Sequence, residues 1–245
     1  MRVTAVIPAR YASTRFPGKL MKPLSGKTVI RTTYENVRDA GLFDDTFVVT
    51  DSKIIFDEIA QHGGKALMSA KEHETGSDRI AEAVENIDCD VVINIQGDEP
   101  FINQKDLKQL ITIFEKDRNR EIDLATLYRK LTDWQQIEDP NCVKVVKNKD
   151  DFALYFSRSV IPFPREKNFP AKYYGHIGVY AFRKEALLKF AQLPMRQNEK
   201  AEKLENLRYL EYGMKIKLIE TDFAGIGIDT PQDLERTEKL IKQSK

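Results

Sequence analysis

The sequence predicts an α/β protein. Short apolar runs alternate with amphipathic stretches at helical spacing. The most apolar run, Val91-Val92-Ile93-Asn94-Ile95, is bounded by polar turns and reads as a central buried strand. Helix-stop and helix-start signals, such as Gly63-Gly64 and Asp229-Thr230-Pro231, punctuate the pattern at the spacing of single elements.

Taken in order, Val3 to Ile7 is a short buried strand ended by Pro8. Thr28 to Ala40 is a helix with Ile30, Tyr34 and Val37 on one face. Phe47-Val48-Val49 is the second strand, Ser52 caps a helix through His62, and Lys65 to Met68 is a third strand. Ser77 to Ile87 is a helix with Ile80, Val84 and Ile87 inward. Leu107 to Phe114 is helical and Asp123 to Arg129 a strand. The second half changes character. Val143 to Lys147 and Phe152 to Phe156 form a hairpin around the polar turn Asn148-Lys149-Asp150-Asp151. Ile161 to Lys172 carries Pro162, Pro164 and Pro170 and reads as an extended excursion. A strand (Ile177 to Phe182), helices at Lys184 to Gln192 and Lys200 to Tyr212, and a strand at Lys215 to Glu220 follow. Asp229 or Thr230 caps the last helix, with Pro231 in its first turn. The expected organisation is one domain over residues 1–245 with an insertion between about 135 and 200.

Composition excludes several classes. Lys plus Arg number 39 against 38 Asp plus Glu, a net charge of +1, so the basic excess of a nucleic-acid binder is missing. No apolar run approaches the ~20 residues of a membrane span, and the apolar part of the N-terminus is too short for a signal peptide. Cys89 and Cys142 lack metal-binding spacing and read as small core residues, which points to a reduced, cytoplasmic protein. Three motif-like stretches dissolve on inspection. Ser25-Gly26-Lys27-Thr28 has Met21 where a phosphate-binding P-loop needs Gly. Gly225-Ile226-Gly227 lacks the third Gly of a dinucleotide fingerprint. Asp88-Cys89-Asp90 precedes a strand, whereas ligands in α/β sheets bind beyond the carboxyl ends of strands. His62, His73 and His176 show no metal-like clustering.

Three places carry chemistry. The loop Pro8 to Lys19 leaves a buried strand at its carboxyl end and interleaves Arg10, Arg15 and Lys19 with small residues that let backbone N–H groups approach an anion. The competing reading is a solvated basic loop. Gln96-Gly97-Asp98-Glu99-Pro100 follows the central strand, where a rigidly held carboxylate suits Mg²⁺. If extension continues there, Glu99 points away from Asp98, so the metal falls to Asp98; a capping Asp is the alternative. Gly227-Ile228-Asp229-Thr230-Pro231 offers Asp229, a helix cap when alone and a second magnesium ligand if it meets Asp98.

Ile7 to Lys19 resembles the opening of the sugar-acid cytidylyltransferases. The match continues through His73-Glu74-Thr75-Gly76-Ser77-Asp78-Arg79, Asn94 to Pro100, Ala153-Leu154-Tyr155-Phe156-Ser157-Arg158 and Gly227 to Pro231. The ordered set is similar to the 3-deoxy-manno-octulosonate cytidylyltransferase family. That resemblance implies a Rossmann-like nucleotide-diphospho-sugar transferase fold, with a mixed central sheet, helices on both faces and a dimerisation insertion. It implies a homodimer that joins CTP and 3-deoxy-manno-octulosonate (Kdo) into CMP-Kdo and pyrophosphate for lipopolysaccharide synthesis, with Mg²⁺ as cofactor. Relatives acting on 8-amino-Kdo or N-acylneuraminate are the alternative.

By resemblance, Arg10, Lys19 and Asp98 are catalytic, and Asp98 and Asp229 hold the metal. Pro8, Ala9, Ser13, Thr75, Ser77, Arg79 and Gln96 join Arg10, Lys19 and Asp98 around the nucleotide. Gln96, Arg158, His176, Tyr180 and Glu205 surround the sugar acid. For Arg158 a surface salt bridge, and for His176 a satisfied core histidine, are the alternatives. Asn206 stands where better-known members carry Gln.

Overall fold

The computed structural model describes residues 1–13, 16–71, 73, 75–101, 103–166, 169–223 and 227–243. They form two compact units, residues 1–108 with 225–245, and residues 109–224; the segment from about 135 to 200 lies inside the second.

In the first unit β1 (Val3–Ala9) pairs in parallel with β4 (Asp45–Thr50) on one side and β6 (Val91–Asn94) on the other, and β5 (Ala66–Met68) pairs beyond β4. Every residue from Val3 to Ile7 and from Val91 to Ile95 is buried, without alternation. A parallel sheet covered on both faces requires this. The first strand runs through Pro8 rather than ending there. Its pairing with β6 stops at Val6 while its pairing with β4 continues to Ala9, so Pro8 sits where the strand has one of the two neighbours, a position that tolerates a missing N–H.

The rejected P-loop stretch is a hairpin of β2 (Pro23–Leu24) and β3 (Lys27–Thr28). Ser25 and Gly26 both have positive φ, 50° and 88°, as a tight two-residue turn demands. Thr28 then caps α1 (Val29–Asp39) by accepting from Arg31 N. Ser52 occupies the N-cap position of α2 (Lys53–Gln61) but makes no side-chain cap; its own N–H donates to Thr50 Oγ1 instead. α3 (Gly76–Val84) is shorter than its apolar spacing suggests: Ile87 N returns to Val84 O and the helix unwinds before Asp88. Asp88-Cys89-Asp90 is a turn tied to Arg2, whose guanidinium meets Asp88 at 2.6 Å. α4 (Gln104–Lys116) crosses from one unit to the other.

The second unit is mainly antiparallel. β7 (Leu124–Leu131) is followed by α5 (Trp134–Glu138), then by the hairpin of β8 (Lys144–Lys147) and β9 (Ala153–Ser157), as its polar turn predicts. Asn148 Oδ1 accepts from Asp150 N and Phe152 N across that turn. β10 (Tyr173–Arg183) pairs antiparallel with β7 and touches β8, with a bulge between Ile177 and Tyr180. Among its described residues the excursion from 161 to 172 has neither helix nor strand. α6 (Lys184–Phe190) follows β10. The helix expected over Lys200 to Tyr212 is two helices, α7 (Gln197–Glu202) and α8 (Asn206–Glu211). Lys203 between them is left-handed at φ 54°, which ends the first. β11 (Ile216–Glu220) runs parallel to β7, and α9 (Pro231–Gln243) returns to the first unit. Neither cysteine is in a disulfide; Cys89 is buried, and Cys142 packs against a small core of Leu131, Ile137 and Tyr173. No helix among the described residues is long and apolar enough to cross a membrane.

α7 and α8 are joined by a buried ion pair. Glu199 accepts from Arg208 at 2.6 and 2.7 Å, both side chains are at most 5% exposed, and the Arg208 guanidinium lies 4.3 Å from the Phe190 ring centre. Removing the anion strands a buried cation. Glu199→Ala should therefore cost about 3–5 kcal/mol in urea unfolding, and a loss near zero would show that Arg208 finds other solvation.

Candidate active site

The site in the first unit is built at the carboxyl ends of β1 and β6, where α/β sheets bind ligands. Gly18, at φ 64°, turns the basic loop into a 3-10 turn over Lys19–Met21, and the Lys19 ammonium comes to rest between two carboxylates. It donates to Asp98, and to Asp229 Oδ1 at 2.9 Å. These three residues are far apart in the chain and meet as the sequence reading requires.

The backbone explains why they meet. A Cβ on Gly97 would stand 3.1 Å from both Pro8 O and the Ile30 side chain, so glycine lets the chain after β6 pass close to the end of β1 without pushing that backbone carbonyl aside. Thr33 Oγ1 donates to Gly97 O, Asn36 Nδ2 to Pro100 O, and Ile228 N to Asp98 O at 2.9 Å, which brings Asp229 alongside. The last helix does not need Asp229 as its cap. Thr230 Oγ1 accepts from Asp233 N while Asp233 Oδ2 accepts from Thr230 N and Oγ1 and from Asp229 N, a reciprocal cap that leaves the Asp229 carboxylate to Lys19.

Burial works against the Lys19 ammonium, but the charges and hydrogen bonds of Asp98 and Asp229 outweigh it and hold its pKa above the ordinary lysine value. Glu99 joins the same group, contrary to the expectation that it points away. Extension does not continue: Glu99 N bonds back to Gln96 O, and the turn brings its carboxyl into the cleft with Asp98. Burial first, then the charges of Asp98 and Asp229, push its pKa up to about 7. The glycine and proline flanking Asp98-Glu99 were the available signal for that turn. Carboxylate oxygens that already share one ammonium form a place where a cation is stabilised, and they are the hard donors magnesium prefers. The cleft measures about 520 Å³ and is lined by Arg10, Ser13 and Gln96 as well as these groups.

Beside it lies a smaller recess lined by Pro8, Ala9, Thr75 and Arg79, with Arg10 and Gln96 shared. Arg79 is buried; it donates to Ala9 O at 3.2 Å and to Asp51 at 2.6 Å. The Arg79 hydrogen bond holds the Asp51 carboxyl below the usual range, and the charge of Arg10 adds to it. Sequence reading missed Asp51, although it too follows the carboxyl end of a strand. Thr75 caps α3 by accepting from Asp78 N, and Ser77 is buried in the first turn of that helix. Arg15, Glu74, Gly225 and Ile226, named in the sequence analysis, lie outside the described residues.

The remaining predicted residues lie in the second unit. Arg158, just past β9, donates from Nε to Glu202 O and from Nη1 to Pro140 O. Glu205 and Asn206 begin α8, Asn206 being buried. His176 and Tyr180 lie on β10 with ring centres 5.4 Å apart, and Phe156 meets the imidazole edge to face. Thr126 Oγ1 lies 2.9 Å from His176 Nε2 and 2.8 Å from Val179 O, so the imidazole has a polar partner inside the sheet. Burial lowers the His176 pKa to about 4.

A family model described as cytidylyltransferase matches residues 4–216. The chain belongs to the cytidylyltransferase family. It is 60% identical over 242 residues to the 3-deoxy-manno-octulosonate cytidylyltransferase of Flavobacterium johnsoniae and 47% identical over 252 residues to that of Bacteroides thetaiotaomicron, covering 99% of each chain in both comparisons. A solved CMP:2-keto-3-deoxy-manno-octonic acid synthetase complexed with CTP superposes with a TM-score of 0.93 at 37% identity, over 100% of both chains. A 4-diphosphocytidyl-2C-methyl-D-erythritol synthase from Anaerococcus prevotii, 14% identical with a TM-score of 0.64 over 98% of each chain, shares the fold. The mixed α/β nucleotidyltransferase architecture expected from the sequence is thus the one adopted.

His176 makes stability pH-dependent with a definite sign. The unfolded chain takes up a proton near pH 6.5 that the folded chain refuses until about 4, so the native state loses stability as pH falls through that window. His176→Gln should flatten this part of the thermal midpoint–pH curve; an unchanged slope would show that another group carries it.

Proposed function

We propose that the chain transfers CMP from CTP to the anomeric hydroxyl of Kdo, releasing pyrophosphate. The observation that carries the reading is the convergence of Lys19, Asp98 and Asp229 beside Arg10 at the strand ends, in a chain so similar to Kdo cytidylyltransferases along its whole length.

In the reaction the sugar hydroxyl oxygen forms a bond to the α-phosphorus, the bond to the β-phosphate oxygen breaks in line, and the hydroxyl proton leaves. Such transfers depend on positioning and charge neutralisation more than on covalent protein chemistry, so the reaction needs no Ser or Cys nucleophile. Lys19 and Arg10 bind the triphosphate and neutralise the departing pyrophosphate. Asp98 and Asp229 would hold Mg²⁺, which when bound supplies a Lewis acid toward the α-phosphate and the attacking oxygen. The recess lined by Pro8, Ala9, Thr75, Arg79 and Gln96 receives the rest of the nucleotide, with Ser13 and Ser77 nearby in the sequence motifs assigned to it. Arg158 pairs with the sugar carboxylate, and His176, neutral at physiological pH, binds sugar hydroxyls with Gln96, Tyr180 and Glu205. The segment from about 135 to 200 contributes a homodimer interface. Leu154 (59% exposed), Phe163 (83%) and Phe169 (64%) support that role, since large apolar side chains at this exposure favour being covered. Cys89 and Cys142 form no disulfide, which suits work in the cytoplasm.

Pyrophosphate release from CTP with Kdo, 8-amino-Kdo and N-acetylneuraminate tests the reading; Kdo should be turned over fastest, and no release with Kdo would refute it. Asp98→Ala should lower turnover by on the order of 10²–10³-fold or more without changing the fold. Near-normal magnesium-dependent turnover would remove Asp98 from the metal site. Lys19→Ala should slow the single-turnover chemical step; a change confined to sugar affinity would count against its role. Sedimentation should give a dimer, with Phe163→Ser weakening it.

A further inference from the structure

Arg158 is held from two sides, and the residue holding it most fully has no part in the proposed reaction. Glu202, the last residue of α7, turns its side chain onto the end of β9. It accepts from Ser157 Oγ at 2.6 Å and from Arg158 N at 2.9 Å, and its backbone carbonyl accepts from Arg158 Nε at 2.8 Å. On the other side Arg158 Nη1 reaches Pro140 O at 2.9 Å. The adjoining carbonyl, Asp139 O, accepts from Lys144 Nζ at 2.8 Å, and Lys144 is fully buried opposite Ser157 in the β8–β9 register. Burial lowers the Lys144 pKa, and the neighbouring Cys142, Asp139 and Glu202 oppose that shift. Among the described residues none accepts from Arg158 Nη2, so the guanidinium is held at Nε and Nη1 and keeps donors to offer.

The left-handed Lys203 gives this grip its direction. It stops α7 at Glu202 and starts the short passage to Glu205 and Asn206 at the head of α8. α8 is locked to α7 by Glu199 with Arg208 and by Glu211, which accepts from Asn198 N and Glu199 N. One carboxylate therefore fastens Arg158 to the same rigid pair of helices that carries Glu205.

We infer that Glu202 is a positioning residue: its carboxylate holds the Arg158 backbone N–H and Ser157 Oγ, fixing the base from which the Arg158 side chain reaches the carboxylate of the sugar acid. The inference rests on the reading that Arg158 binds that carboxylate. A guanidinium recognises a carboxylate by direction as well as by charge, so a loosened one loses selectivity along with affinity. Glu202 acts on one substrate only, because the contacts it makes are with the residue proposed for the sugar and with its neighbour Ser157.

The test uses the full chain as wild type, Glu202→Ala and Glu202→Gln, in steady-state pyrophosphate release. Glu202→Ala should raise KM for Kdo roughly tenfold, the weight of one charge-assisted hydrogen bond, while KM for CTP and kcat stay within about twofold. Glu202→Gln keeps an acceptor oxygen and should restore much of the loss. A second readout separates positioning from packing: inhibition by the 2-deoxy sugar acid, which lacks the attacking hydroxyl, and by its carboxamide. Wild type should prefer the acid strongly, and Glu202→Ala should compress that preference. Equal weakening of both inhibitors, or a parallel rise in KM for CTP, would overturn the inference. If Glu202→Ala fails to fold, the acid-to-amide ratio of Glu202→Ser, whose side chain is too short to keep both contacts, decides, and a wild-type ratio there also overturns it. Wild-type protein inactive with CTP and Kdo would instead refute the parent reading.

Discussion

One ammonium group between two carboxylates organises the first unit. Lys19, Asp98 and Asp229 lie on three stretches that no local interaction would bring together. Their meeting depends on close backbone contacts: Gly97 passing against Pro8 O, and Ile228 N bonding Asp98 O. Burial penalises each charge, and the arrangement persists because the charges are mutually satisfied. A net excess of carboxylate remains, since Glu99 is pressed into the same cleft and its pKa rises to about 7. Such a site is tuned toward added positive charge, while Arg10 beside it favours anions. Proximity of both signs is what a metal-bound polyphosphate requires.

Much of this was legible in the chain. Uninterrupted apolar runs at Val3 to Ile7 and Val91 to Ile95 specify buried parallel strands, and ligand sites follow at their carboxyl ends, which located Lys19 and Asp98 without coordinates. Asp229 needed the family pattern, because a carboxylate at the head of a helix has a simpler explanation as its cap. Features decided by single backbone conformations were not legible. Lys203 in the left-handed region splits one expected helix into two, and a turn at Gly97-Asp98 redirects Glu99. Apolar periodicity does not register either, since both change direction without changing hydrophobicity. Long-range polar partners such as Asp51 with Arg79, 28 residues apart, are equally invisible to local pattern.

The two units divide the chemistry. Groups proposed for the triphosphate and the metal belong to the first, a parallel sheet whose strand ends present backbone and charge. Arg158, His176, Tyr180 and Glu205 belong to the second, an antiparallel assembly whose hairpins and short helices are braced by buried ion pairs such as Glu199 with Arg208. His176 illustrates the second style. Burial keeps it neutral, so it offers hydrogen bonds rather than charge.

The reciprocal cap of the last helix has a wider implication. Thr230 and Asp233 cap the start of α9 between themselves, so the cap does not depend on the Asp229 carboxylate. Folding and electrostatics are thereby uncoupled at a position where they are usually fused. Evolution can adjust the charge that faces the ammonium without unravelling the C-terminal helix, and an inactive lineage could discard it while keeping its shape.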